Sequence, residues 1–415
     1  MPLTVRELNQ QFIDLWWEGD TGNASDARLP DLGPSYTARV QAENEKRLLD
    51  FLEQVSKVLS SPPRSRDEWL THQAPLGGAF RTLAEEALGF HAAQLDGLPS
   101  QAFSDASEGF VQGARSFDAN LRAEDIYQAG RNAWTAFGLQ WLLGIPVELT
   151  PSILAYSLLY PYTDNYLDDP YISASSKLAF NERFRRRLEG ESLPPENAHE
   201  QVIFDLVEMI EGQYPRARHP QVFESLLAIH HAQGKSLKLL QRSAAPGEVD
   251  VLGLSFEKGG TSVLADGDLV SDSLTGAQRA YTYGHGIFAQ LLDDLEDVEA
   301  DSEAGRLTVY SQAAGHWHLD GLMNRTFHFG HRILQRLDCF DIEEPLRELI
   351  RRGADLILID TVGRSGHYFT ETYLHELEAH SPFRFAFLDE QRQRFFSRHG
   401  SFVNLVETAM LFQNT

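Results

Sequence analysis

The chain has 415 residues, 42% hydrophobic and 11% aromatic, enough for one large apolar core or two ordinary ones. A formal net charge of −24 argues against a nucleic-acid or anionic-membrane partner, and an anionic substrate would need local help from a metal or from basic side chains. The single cysteine, Cys339, excludes an internal disulfide; no run of about 18 apolar residues occurs, and the start MPLTVRELNQQF lacks the features of a signal peptide, so a cytoplasmic chain with no integral membrane segment is expected.

Glycine, proline and asparagine clusters separate segments of helical length, and no stretch sustains period-2 alternation, which predicts an all-α fold. Breaks fall at 20–36, 61–66, 145–151, 190–198, 214–220, 243–250 and 379–383. Residues 1–65 read as an N-terminal extension or as the first helices of the core, and 66–415 as the main helical domain. Helix candidates between the breaks include 124–143, 152–168, 199–212, 221–242, 276–300, 319–337 and 343–359. For the second of these, Thr150 is the expected N-cap and Pro151 the first helical residue. Pro161 should kink or bulge it, and Pro170 should close it. In the helix starting near Thr275, Gly284 and Gly286 each cost about 1 kcal/mol relative to alanine, which implies a close neighbour or an opening there.

Two acidic clusters about 130 residues apart end two of these helices: Asp164-Asn165-Tyr166-Leu167-Asp168-Asp169, and Asp293-Asp294-Leu295-Glu296-Asp297 continuing to Asp301. Positions four apart share a helix face, which groups Asp164 with Asp168, and Asp293 with Asp297 and Asp301. Residues 293–303 hold seven acids and no base. Like charges four apart cost about 0.2–0.5 kcal/mol per pair, so such a run needs a cation or full exposure to water. Mg²⁺ suits it, because it takes oxygen ligands, keeps several waters and bridges one or two carboxylates to phosphates. An acidic helix end alone is most simply a solvated face; two matching ends make a metal site for a diphosphate the better reading. Asp169, about 100° round from Asp168, is included as a further ligand. Asp294 and Glu296 point off the 293/297/301 face and are expected at the surface or supporting the ligands.

The segment GlyHisGlyIlePheAlaGlnLeuLeuAspAspLeuGluAsp (284–297) resembles the second aspartate-rich region of trans-polyprenyl diphosphate synthases, Phe-Gln-x-x-Asp-Asp-x-x-Asp, with Phe288 and Gln290 split by Ala289. GluLysGlyGlyThrSerValLeu (257–264) is similar to that family's Lys-Thr segment, which implies Lys258 on the diphosphate and Thr261 nearby. Gln233 matches a glutamine of the family, and the run from Leu142 to Asp164 is similar in spacing to its approach to the first aspartate motif. The resemblance covers about residues 125–312 and implies a single large helical bundle of the class I isoprenoid synthase type around a central cavity. In that family, bulk four or five residues before the first aspartate limits chain length, the place Tyr160 occupies.

Two departures separate the chain from the elongating members. GlnAlaGlyArgAsnAlaTrp (128–134) keeps Arg131 but lacks the cations that hold isopentenyl diphosphate, and no Arg-Arg pair follows Pro170. The i, i+4, i+8 spacing of Asp293, Asp297 and Asp301 is similar to the second metal motif of class I terpene synthases. The expected function is therefore a Mg²⁺-dependent terpene synthase, using three ions or Mn²⁺ in their place, that ionises a linear prenyl diphosphate and cyclises or rearranges the cation. Lys258, Arg131, Arg306 and Arg364, with Tyr368, are the candidate partners of the departing diphosphate. The alternatives are a prenyltransferase that condenses an allylic diphosphate with isopentenyl diphosphate or another acceptor, and a non-catalytic partner subunit of the same fold. The reading admits a homodimer. Trp134, Phe137, Trp141, Tyr156, Tyr160 and Phe288 are plain core or line the cavity, where their rings would shield a carbocation. The run ArgPheArgArgArg (183–187) is expected to be a solvated face, and His230, His231, His316 and His318 to be structural. No Gly-x-Ser-x-Gly, P-loop or dinucleotide fingerprint is present.

Overall fold

The computed structural model describes residues 3–18, 28–60, 66–169, 171–240 and 248–399; at residues 66, 67, 69, 70, 73 and 168 only the backbone is described. Every regular element among them is helical. In chain order these are α1 (Val5–Trp17), α2 (Ala38–Ser60), α3 (Arg66–Glu86), α4 (Ala92–Asp96), α5 (Ser100–Phe117), α6 (Ala123–Leu142), α7 (Pro151–Asp168), α8 (Ala174–Leu188) and α9 (Ala198–Gln213). There follow α10 (Pro220–Ser236), α11 (Val251–Val270), α12 (Gly276–Glu296), α13 (Val298–Ala304), α14 (Asp320–Gln335), α15 (Glu344–Arg364), α16 (Glu371–Glu378) and α17 (Phe385–His399). No helix among the described residues is long and apolar enough to cross a membrane.

The chain forms two compact units. The first comprises Met1–Asp14, Pro99–Gln290 and Asp338–Asp341; the second comprises Leu15–Leu98, Leu291–Leu337 and Ile342–Thr415. Residues 1–65 are thus divided between them.

In the first unit α7 packs on α6 and α9, and α11 packs on α10 and α6. Phe137, Leu158, Leu206, Phe256, Leu264 and Tyr283 fill its core. Helix starts carry side-chain caps, each worth about 1 kcal/mol. Thr150 Oγ1 accepts from Ile153 N at 3.3 Å, as expected, Asn197 from Glu200 N at 2.9 Å, and Asp250 from Gly253 N at 2.9 Å. α7 continues through Pro161, where the Thr163 hydroxyl donates back to the carbonyls of Leu159 (2.7 Å) and Tyr160 (3.3 Å), the bonding that accompanies bent helices. Pro170, the expected stop, lies outside the described residues, as do 20–27, 61–65 and 243–247 of the expected breaks.

The basic run of α8 is not a free solvated face. Arg183 forks onto Glu200 at 2.8 and 2.9 Å, Arg186 meets Glu191 at 2.6 Å, and Arg187 holds Glu211 at 2.8 and 2.5 Å. Arg185 pairs with Glu182 at 2.6 Å. Two of these acids, Glu200 and Glu211, come from α9, so the run clamps α8 onto its neighbour.

The second unit is organised by α15, which touches α4, α14, α16 and α17, while α2 packs on α3 and α17. Trp16 meets Phe329 edge-on at 5.4 Å, and Phe327, Ile333, Leu358 and Val362 are fully buried. Buried Gln41 donates to the carbonyls of Glu378 (3.0 Å) and Ser381 (3.1 Å), which ties α2 to the break after α16.

Candidate functional site

The first acidic cluster occupies the last turn of α7, and its neighbours are all engaged in the fold. Asn165 Nδ2 donates to Asp125 Oδ1 at 3.0 Å, and Asp125 is itself gripped by Arg122 at 2.8 and 2.7 Å. The Tyr166 ring stacks on His199 with centroids 4.5 Å apart and also packs on Phe180 at 4.7 Å. Burial holds the His199 imidazole below its ordinary pKa, which keeps it a neutral ring in this stack. Tyr162 donates to Asp118 Oδ2 at 2.7 Å.

At about 100° per residue, Tyr162, Asn165 and Tyr166 lie roughly 100–200° round the helix from Asp164. That geometry places Tyr160 and Asp164 on the opposite stripe. Tyr156 belongs near the same side, and its hydroxyl donates to the Ser262 carbonyl of α11 at 3.0 Å. Asp164 and Tyr160 are half-buried; Asp169 caps the helix and accepts from Tyr171 N at 2.8 Å.

Lys258 is half-buried on α11, with no carboxylate on its ammonium among the described residues. Thr261, expected beside the diphosphate, is instead fully buried, and its hydroxyl donates to the carbonyls of Glu257 (2.6 Å) and Lys258 (3.3 Å) of its own helix. Its role in this state is local. Gln233 is half-buried, Arg131 exposed and Phe288 buried. α11 and α12 cross backbone to backbone: a Cβ added at Gly286 would stand 2.2 Å from the Gly259 carbonyl oxygen. The close neighbour expected at Gly286 is therefore α11. Of the expected cavity-lining aromatics, Phe137 and Tyr156 are core, and Trp134 lies edge-on to Tyr127 at 5.6 Å.

In the second unit the acidic run is not one helix to residue 300. α12 ends at Glu296, Asp297 takes φ −94°, ψ 6°, and α13 begins at Val298. Four-residue bonding survives the junction, from Asp297 N to the Asp293 carbonyl (2.9 Å) and from Asp301 N to that of Asp297 (2.8 Å). Asp293 is half-buried and Asp297 exposed. Asp294, expected at the surface or supporting the ligands, is only 5% exposed, and Asp301 7%.

Three of the candidate substrate residues gather on this run. Arg364 binds Glu296 at 2.5 Å and Asp360 at 3.4 Å, Arg306 reaches Asp301 at 3.9 Å, and Gly305 in the left-handed region turns the chain between them. Tyr368 lies against α13: burial, then the charge of Glu299, raises its pKa, while a bond to Ser302 opposes the rise. An arginine already paired must leave Glu296 before it can serve a diphosphate.

The donors are hard carboxylate oxygens, the chemistry Mg²⁺ prefers. Among the described residues no three His, Cys, Asp or Glu side chains converge into a ready cage. Mg²⁺ asks for less, since one or two carboxylates with waters and phosphate oxygens suffice.

One buried acid was not anticipated. Asp266 of α11 is 2% exposed, its Oδ2 has no hydrogen-bond partner among the described residues, and burial raises its pKa well above the ordinary carboxylate value. A carboxyl held neutral when folded but ionised above about pH 3.9 when unfolded binds more protons in the folded chain, so it subtracts stability as pH rises through that window. Asp266→Asn is expected to raise the melting temperature at pH 7–8 and to lose that gain near pH 3. A gain independent of pH would show that Asp266 is ionised in the folded chain. The signal in the sequence was an aspartate inside the apolar run ValLeuAlaAspGly.

No protein-family model, curated protein or solved structure matches the chain.

Proposed function

We propose that the chain is a Mg²⁺-dependent class I terpene synthase of the isoprenoid synthase type, which ionises a linear prenyl diphosphate and cyclises or rearranges the resulting carbocation, releasing diphosphate. The observation that carries this reading is the division of labour at the end of α7. Asn165, Tyr166 and Tyr162 are committed to Asp125, His199 and Asp118, and the same anchored helix end carries the aspartates Asp164 and Asp168 one turn apart. The anchors fix the backbone that carries the two aspartates, which is what positioning of a leaving group requires.

On this reading Asp164, Asp168 and Asp169 of the first cluster and Asp293, Asp297 and Asp301 of the second are the carboxylates that would hold Mg²⁺ or Mn²⁺. The ions, when bound, neutralise the diphosphate and act as Lewis acids on its leaving oxygen. Lys258 and Arg131, with Arg306 and Arg364 once released from their acids, donate charge-assisted hydrogen bonds to the departing oxygens. Tyr160 and Phe288 bound the apolar end of the substrate, where their rings supply no base that would quench the cation early.

The test is incubation with geranyl, farnesyl, geranylgeranyl and geranylfarnesyl diphosphates and Mg²⁺, each with and without isopentenyl diphosphate. Hydrocarbon or alcohol formed from one substrate alone is the expected result. Strict dependence on isopentenyl diphosphate would replace the reading with chain elongation, and absence of turnover with every substrate would replace it with a non-catalytic subunit.

A further inference from the structure

We infer that a groove in the first unit, separate from both acidic clusters, binds a small organic phosphate or diphosphate. It is walled by α1, α8, α10, the 3₁₀ turn Leu237–Leu240 and the start of α11. Its volume is about 810 Å³, within the roughly 300–1,000 Å³ usual for small-molecule sites.

The charge pattern is the argument. In a chain with 60 acids and 36 Lys and Arg, four cations converge here from separate elements: Arg6, Arg185, Lys235 and Lys238. Three acids also face the groove, and each is already engaged. Glu182 holds Arg185 at 2.6 Å, Glu257 holds Lys235 at 2.6 Å, and Asp250 is spent capping α11 on Gly253 N at 2.9 Å. Arg6 on α1 and Lys238 on the 3₁₀ turn are left with no carboxylate among the described residues.

Like charges drawn together from different elements repel unless an anion joins them. One with several oxygens can bridge an arginine fork on one element and an ammonium on another, which is the geometry of a phosphate group. Val5, Ile13 and Ala228 supply apolar wall beside these cations, so the ligand carries an organic body as well as its charge.

The experiment uses the full chain in EDTA, titrated with inorganic pyrophosphate and separately with orthophosphate at fixed ionic strength, by calorimetry. One saturable site is expected, weakened at least tenfold in an Arg6→Ala/Lys238→Ala double variant. Both side chains are exposed, so the unliganded variant should melt with the parent protein. Chelation removes the metal through which the acidic clusters would bind diphosphate, so Asp293→Ala must leave this binding unchanged; the inference can then fail without the terpene synthase reading failing, and the reverse. Absence of saturable binding by either anion, equal affinity in the double variant, or a loss of binding in Asp293→Ala would overturn it.

Discussion

Asp293→Ala is expected to lower turnover of a prenyl diphosphate by about 10²–10³-fold at saturating Mg²⁺, because it deletes a ligand at the place where leaving-group charge develops in the transition state. Its fold should survive. Asp293 is half-buried at the end of α12, and the bond between its carbonyl and Asp297 N belongs to the backbone, which alanine keeps. Asp294 is the informative control, because it now has a different expected defect. It is buried beside Tyr310, whose hydroxyl stays protonated chiefly through burial and, after it, through the neighbouring Asp294 charge. Asp294→Ala truncates a buried side chain and leaves a cavity, so it should cost stability, read as a lower melting temperature, with turnover per folded molecule less affected than in Asp293→Ala. If Asp293→Ala turns over like the parent while Asp294→Ala does not, the ligand set must be redrawn around Asp294.

The burial of Asp294 was legible in the sequence but was read against the wrong stripe. Ile287, Leu291, Leu295 and Val298 form the buried face of α12 and α13, and Asp294, seven residues after Ile287, lies only about 20° from it. Grouping by fours also hides a drift of about 40° per step, so that after two steps Asp301 stands about 80° from Asp293, nearer to Asp294. The start of α7, by contrast, was fully local: a threonine before a proline states both the cap and the first turn. What sequence could not supply were partners distant along the chain. Nothing near Arg183 or Arg187 announces Glu200 or Glu211, and nothing near Glu296 announces Arg364, 68 residues on. The paired state of those arginines is tertiary information, and so is the use of Asn165 and Tyr166 as anchors for the first cluster.

The largest stability loss is expected from Gly286→Ala. Alanine normally gains about 1 kcal/mol over glycine within a helix, but here its Cβ would stand 2.2 Å from the Gly259 carbonyl oxygen, 2.9 Å from that carbonyl carbon and 3.0 Å from Val263 Cβ. Two of these atoms are backbone, so no side-chain rotation relieves the clash and the helices must separate. Overpacking in a filled core usually costs about 1–3 kcal/mol, and separation of two backbones belongs at or beyond the upper end, so a net loss of roughly 3 kcal/mol is expected. Gly138→Ala in α6 is the matched control: nothing lies within 4 Å of its added Cβ, and a gain of about 0.4–1 kcal/mol is expected there. Urea unfolding of both variants decides the matter, and equal midpoints for Gly286→Ala and the parent would mean that α11 and α12 do not touch at this crossing. The crossing also sets the position of a candidate site residue. Lys258 is the residue before Gly259, and a Cβ at Gly259 would meet Gln290 Cβ at 2.5 Å, so any displacement of α12 moves the helix turn that carries the lysine. Activity in Gly286→Ala should therefore fall by more than its folded fraction explains. A specific activity per folded molecule equal to that of the parent would remove Lys258 from the diphosphate's partners.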